Sequence, residues 1–268
     1  MTYQTLTLST DARGVATLML NRPDKHNVLS AQMIAELAEV AETLGSDPAI
    51  RAVILTGAGV SFCAGGDLSW MKEQMTATRE QRMSEARKLA MMLKALNEMP
   101  KPLIGRINGQ AYGGGVGMMS VCDVSIGVDG AKFGLTETRL GLIPATISPY
   151  VMARMGEGLA RQVLMSSRRF GAGEAVRLNL LARAVPATEL DEAVEAEVTP
   201  YLACSPEAVA RSKRLTRKMG LAITDELIDW TIEQLADTWE TADAVEGVSA
   251  FFEKRGANWA STNSQISG

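Results

Sequence analysis

The sequence predicts an α/β protein whose first two thirds stack strand–strand–helix units into a spiral and whose last third is helical. Three observations carry this prediction. Apolar strand-like runs alternate with amphipathic helical stretches through most of the chain. Two of those strands run into glycine loops that open helices, at residues 57–67 and 108–115. From Thr188 onward the apolar spacing is helical only.

In order along the chain, residues 4–9 and 14–20 alternate apolar with polar or small side chains across Asp11-Ala-Arg-Gly14, which predicts a hairpin. Residues 21–27 are turn-rich. Ser30 then caps an amphipathic helix to about Gly45, with Met33, Ile34, Leu37, Val40, Ala41 and Leu44 on one face. Asp47-Pro48 ends it, and residues 52–56 read as a buried strand. The first glycine loop follows, then a helix beginning near Asp67. A polar stretch from about Lys72 to Arg82 precedes a long helix from about Ser84 to Met99, closed by Pro100 and Pro102. Residues 103–107 and 123–128 are strands on either side of the second glycine loop, and 132–135 is a short extended piece. After Pro144 and Pro149 the pattern is helical almost throughout, broken at Gly156, Gly171 and Pro186. Further helical segments end near Cys204, Met219, Ala242 and Lys254, and the residues from about Ser261 form a frayed tail. This divides the chain into a core over 1–200, a helical region over 201–260 and a tail over 261–268.

A chain of 268 residues suffices for one large core. Its net charge of −4 gives no electrostatic reason to expect nucleic acid or an acidic membrane surface as partner. Cys63, Cys122 and Cys204 are scattered without metal-ligand spacing, as reduced thiols of a cytoplasmic protein are, so no metal site is expected. The N-terminal MTYQTLTLST lacks a signal-peptide pattern, and no apolar run is long enough to span a bilayer.

The chemistry sits in the glycine loops. Glycine lets a ligand approach the main chain, and a helix start offers unpaired N–H groups and a positive dipole end. Such a place suits developing negative charge on an oxygen. One such loop alone is equally a tight turn, with Asp67 as a plain helix cap. Glu137, in Leu135-Thr-Glu-Thr138, is by itself equally the first residue of a helix. His26 is the sole histidine and has no nucleophile motif to serve, and no Gly-Lys-Ser/Thr follows the second glycine run, so it is not a P-loop.

Together, Asn21-Arg-Pro-Asp-Lys-His-Asn27, Phe62-Cys-Ala-Gly-Gly-Asp67, Asn108-Gly-Gln-Ala-Tyr-Gly-Gly-Gly115, Cys122-Asp123, Phe133-Gly134, Glu137-Thr-Arg-Leu-Gly-Leu-Ile-Pro144 and Phe251-Phe-Glu-Lys-Arg255 resemble the crotonase superfamily of enoyl-CoA hydratases and isomerases over essentially the whole chain. Asp67-Leu-Ser-Trp-Met71, Pro144-Ala-Thr-Ile-Ser-Pro149 and Gly117 look most like bacterial methylglutaconyl-CoA hydratases of leucine breakdown. The resemblance implies a crotonase-type spiral of ββα units with a C-terminal trimerisation region. It further implies a homotrimer or homohexamer, no bound cofactor, and a substrate carried as a coenzyme A thioester. It implies an oxyanion hole of the Ala64 and Gly114 backbone N–H groups, and Glu137 as the catalytic carboxylate. Substrate contacts are expected from Lys25 and His26 beside the CoA nucleotide, and from Gly65, Gly66, Asp67, Leu68 and Trp70 after the first loop. Tyr112, Gly113, Gly117 and Pro144 complete the site, with Phe251 and Lys254 reaching in from a neighbouring subunit. Read as residues alone, Leu68, Trp70 and Met71 are equally plain core, and Lys213-Arg-Leu-Thr-Arg-Lys218 is a solvated helix face, with contact to CoA phosphates as its alternative.

Two-glutamate members of the superfamily carry a first carboxylate two residues after the glycine run. Here that position is Gly117. Three readings follow: Glu137 adds water alone, Glu137 shuttles a proton between α and γ carbons as an isomerase, or another side chain replaces the missing partner. A CoA-binding scaffold without chemistry is the rival from another class.

Overall fold

The computed structural model describes residues 3–260. Ten strands form two sheets. β1 (Leu6–Thr10) and β2 (Val15–Leu20) make the antiparallel hairpin, turned at Gly14, whose φ of +82° and whose Cβ position 2.3 Å from the Ala49 carbonyl oxygen admit only glycine. β3 (Ala52–Gly57) and β4 (Ser61–Cys63), β5 (Leu103–Ile107) and β6 (Gln110–Tyr112), and β7 (Val124–Val128) and β8 (Lys132–Gly134) come as successive pairs. The first member of each pair joins the large sheet, of order β1-β2-β3-β5-β7-β10, and the second joins a small sheet, of order β4-β6-β8-β9. Repetition of that step is the predicted spiral. β9 (Arg169–Gly171) and β10 (Arg183–Val185) close the two sheets.

The helices are α1 (Ala31–Ser46), α2 (Leu68–Thr76), α3 (Arg79–Glu98), α4 (Gly114–Val121), α5 (Ser148–Met155), α6 (Glu157–Leu164), α7 (Ala172–Arg177), α8 (Leu190–Leu202), α9 (Pro206–Met219), α10 (Asp225–Trp239) and α11 (Ala242–Phe252). α1 begins where Ser30 accepts a hydrogen bond from the Met33 N–H, and its six predicted apolar residues are all buried. α8 covers one face of the large sheet, packing Leu190, Val194 and Val198 on Val15, Ala52, Ile104 and Ile126.

Three expectations are corrected. The polar stretch from Lys72 to Arg82 does not merely precede the long helix, which starts at Arg79 and not near Ser84. It holds the end of α2, a break at Ala77 and Thr78, and the start of α3, set by a reciprocal Thr78–Gln81 capping box. The segment after Pro149, expected to be helical almost throughout with breaks at Gly156, Gly171 and Pro186, holds strands beside two of those breaks, because β9 and β10 each gain three residues of ladder from β8 and β7. Lys213 is not solvated: its ammonium lies 2.7 Å from Asp123 with the side chain 9% exposed, tying α9 to the end of α4.

Of the tail helices, α10 packs Ile228 and Ile232 against Ala86 and Ala90 of α3, and α11 packs Ala244 and Val248 on Leu142. No described helix is long and apolar enough to cross a membrane. The tail expected over 261–268 lies outside the described residues.

Candidate active site

Both glycine loops end strands of the small sheet and open helices, so β4–α2 and β6–α4 present two helix starts side by side. Their contact leaves no room for side chains. A Cβ on Gly115 would stand 2.3 Å from the Cys63 carbonyl oxygen, and one on Gly114 2.6 Å from the Leu29 side chain. Leu29 stitches the first loop in place: its N–H donates to the Gly65 carbonyl at 2.8 Å, and the Asp67 N–H donates to the Leu29 carbonyl at 3.0 Å.

This pairing decides which N–H groups are free. The Ala64 N–H, the expected oxyanion donor, is spent on the His26 carbonyl at 2.9 Å. Successive N–H groups of an extended chain point to opposite sides. With Leu29 bonded to residues 65 and 67, the Gly66 N–H faces away from that ladder and has no protein acceptor among the described residues. Gly114 is the first residue of α4, and its N–H has no intrahelical acceptor. Gly113, by contrast, donates to the Gly134 carbonyl at 3.0 Å.

Glu137 begins a short 3-10 helix, residues Glu137–Leu140. Its Oε1 lies 2.8 Å from where a Gly113 Cβ would stand, so glycine there makes room for the carboxylate. Oε2 is sealed from solvent and has no hydrogen-bond partner. Burial pushes the Glu137 carboxyl up to about 7, against the opposing pull of its own and the Thr136 backbone N–H groups. A carboxyl so placed is poised to exchange a proton near neutrality.

Glu137 lies in a cavity of about 380 Å³, and it is the only carboxylate on the wall among the described residues. Of the predicted residues, Ala64, Gly65, Gly66, Leu68, Trp70, Tyr112, Gly113, Gly114, Pro144 and Phe251 also line it. Lys25, His26, Asp67, Gly117 and Lys254 do not. His26 instead holds a left-handed turn at φ +50° with its Nδ1 2.9 Å from Ser61 Oγ, and Lys25 ends the 3-10 helix Pro23–Lys25 just before it. Asp67 accepts from the Ser69 N–H at 2.9 Å and pairs with Arg22 at 2.9 Å. Burial alone would raise its carboxyl, but these two partners outweigh burial and hold it below the usual range. It is therefore the helix cap that residue reading alone suggests.

Gly117 is covered. Its Cβ position lies 2.5 Å from Ile147 Cγ2 and 2.9 Å from Ile147 Cβ, so Ile147 fills the place a second glutamate would need. Phe251 faces the cavity of its own chain, with Leu235 and Trp239 beside it, while Lys254 is exposed at φ +55° beyond α11. The walls missed in the sequence include Leu29, Thr146 and Ile147, and also Arg169, whose guanidinium stacks 5.5 Å over the Tyr112 ring. Leu235 and Trp239 carry no sequence signal, since their place depends on how the tail folds back. No group of three or more metal-ligating side chains occurs among the described residues.

Two unpaired backbone donors beside adjacent helix starts share the wall of one cavity with a buried carboxylate, an arrangement able to hold a negatively charged oxygen next to a proton-exchanging group. Comparison with known proteins points the same way. Residues 10–262 match the family described as enoyl-CoA hydratase/isomerase. The chain is 32% identical to the short-chain-enoyl-CoA hydratase of Clostridium acetobutylicum, over 90% of this chain and 92% of that one. It is 30% identical to the crotonyl-CoA hydratase of Syntrophomonas wolfei, over 97% of this chain and 100% of that one. An enoyl-CoA hydratase from Mycobacterium avium superposes with a TM-score of 0.84 at 30% identity, over 96% and 99% of the two chains. The chain belongs to the enoyl-CoA hydratase/isomerase family and is an enzyme with the crotonase fold.

Proposed function

We propose that the enzyme hydrates a branched 2-enoyl-CoA with Glu137 as its only catalytic carboxylate. The thioester oxygen accepts hydrogen bonds from the Gly66 and Gly114 N–H groups. A water oxygen bonds to the β-carbon while Glu137 takes one of its protons. The Cα=Cβ electron pair moves toward the thioester, and Glu137 returns that proton to the α-carbon. The net change is one water added across the double bond, with the carboxylate regenerated. The observation that carries this reading is the lone buried Glu137 carboxylate beside Gly113, with Ile147 excluding a second one at position 117. Each oxyanion donor contributes about 3 kcal/mol of transition-state stabilisation in sites of this kind.

The leading substrate is 3-methylglutaconyl-CoA. Arg139 and Arg169 both reach the cavity wall, and neither has a carboxylate partner among the described residues, which suits a distal carboxylate on the acyl group. No bound cofactor is required, because coenzyme A arrives on the substrate. Exposed Leu215, Met219, Trp230 and Val245 on α9–α11 suit assembly into a trimer or hexamer. A single carboxylate also serves a second reading, transfer of one proton between Cα and Cγ in a Δ3/Δ2-enoyl-CoA isomerase.

Product analysis in deuterated water separates the two. With 3-methylglutaconyl-CoA and with matched 2-enoyl and 3-enoyl thioesters, the expected product is a 3-hydroxyacyl-CoA that Glu137→Ala does not form. A shifted double bond without added water would make the enzyme an isomerase, and equal rates in both proteins would remove Glu137 from the mechanism.

A further inference from the structure

We propose that Thr146 positions the attacking water, next in the chain to the Ile147 that closes position 117 to a second carboxylate. The inference rests on the hydratase reading above. Thr146 is only 7% exposed, yet it forms part of the cavity wall. Its hydroxyl makes no hydrogen bond to protein among the described residues. Nor is it one of the two sealed side-chain atoms without a partner, which are Glu137 Oε2 and Arg217 Nε. A hydroxyl with no protein partner and not fully sealed, on a residue of the cavity wall, is free to bond a water.

Its position follows from a short chain of contacts. Glu137 Oε1 lies 2.8 Å from the Cβ position of Gly113. The Gly117 N–H donates to the Gly113 carbonyl at 3.1 Å, placing Gly117 one helical turn, about 5.4 Å, further along α4. Ile147 Cγ2 lies 2.5 Å from where a Gly117 Cβ would stand, and Thr146 is its neighbour in the Pro144–Pro149 segment. Thr146, Ile147 and Glu137 thus line one cavity, in which a single water bridges the Thr146 hydroxyl and the Glu137 carboxylate.

A water that must attack carbon needs its lone pair aimed and both protons accepted. Glu137 accepts one proton and transfers it. A Thr146 hydroxyl accepting a hydrogen bond from the other fixes the water's rotation without itself changing protonation. Ile147 keeps a competing carboxylate out, and Thr146 supplies the second acceptor. The other cavity hydroxyls are placed differently: Thr136 immediately precedes Glu137, and Tyr112 carries its ring under Arg169.

The test compares wild type with Thr146→Val, Thr146→Ala, Thr146→Ser, Thr136→Val and Tyr112→Phe. Two readouts are followed: hydration of crotonyl-CoA, and deuterium uptake at the α-carbon of butyryl-CoA in deuterated water. Uptake needs the oxyanion hole and Glu137 but adds no water. The expected result for Thr146→Val and Thr146→Ala is a fall of about 10²-fold in kcat for hydration. KM and deuterium uptake should stay within about threefold of wild type. Thr146→Ser should recover most of the rate, with the pH inflexion unchanged. Hydration at the wild-type rate in both Thr146→Val and Thr146→Ala would overturn the proposal, as would parallel loss of hydration and uptake. Selective loss in Thr136→Val or Tyr112→Phe instead would also overturn it. A wild type that takes up deuterium yet forms no 3-hydroxyacyl product would overturn the hydratase reading and this one together.

Discussion

Glu137 Oε2 is sealed from solvent without a hydrogen-bond partner. Because burial raises its carboxyl to about 7, it is protonated in the native state at pH values where the unfolded chain has already released the proton. Between the usual carboxylate range and about 7 the native state binds more protons, so the linkage slope is negative and stability falls as pH rises. The stabilisation from this group is present at acid pH and lost through pH 7. Glu137→Gln should therefore raise Tm at pH 8 and change it little at pH 5, which paired thermal melts would check. The proposed hydration runs the other way: there the carboxylate form accepts the water's proton, so kcat/KM for hydration should rise from pH 6 to pH 8 with an inflexion near 7. Position 117 is fixed by packing. Gly117→Glu should lose stability by about 1–3 kcal/mol from overpacking alone, without gaining activity. Adding Ile147→Ala should recover part of the loss in denaturant melts.

Among the elements, the 3-10 helix carrying Glu137 is held from above by α11. A Cβ on Gly247 would meet the Leu140 carbonyl carbon at 2.5 Å and the Gly141 nitrogen at 2.9 Å, and one on Gly141 would meet the Asp243 carbonyl oxygen at 2.3 Å. Helix and turn approach backbone to backbone, which only glycine permits. Gly247→Ala should cost about 1–3 kcal/mol and lower kcat more than it changes KM, because the displaced element carries the carboxylate. Steady-state kinetics alongside a melting curve would show both effects. The small sheet aligns the two glycine loops, and neither loop alone distinguishes an active site from a tight turn.

For the molecule as a whole, the helical tail is part of the candidate site's wall. α10 and α11 bring Leu235, Trp239 and Phe251 to the cavity, and α9 is moored by Lys213 on Asp123. Desolvation pushes the Lys213 ammonium down, while Asp123 pulls it back. Asp123→Ala leaves that ammonium without its partner and should destabilise the fold by about 3 kcal/mol, the lower end for a buried pair because Asp123 keeps some solvent contact. Lys213→Met should cost less, since it removes the charge and keeps the stem. Urea titrations of the two variants would rank them.

The sequence by itself determined the alternating strand and helix order, the α1 face, the two glycine loops and Glu137. Each rests on local spacing, on residue types with few alternative uses, or on motifs in a fixed order. Only the tertiary structure decided that the Ala64 N–H is spent on His26, that the Gly66 N–H is free, that Ile147 closes Gly117, and that Phe251 faces its own chain's cavity. β9, β10 and the burial of Lys213 belong with them. In every case the deciding partner lies far away in sequence, so the free energy that fixes the residue's role comes from a contact no local pattern encodes.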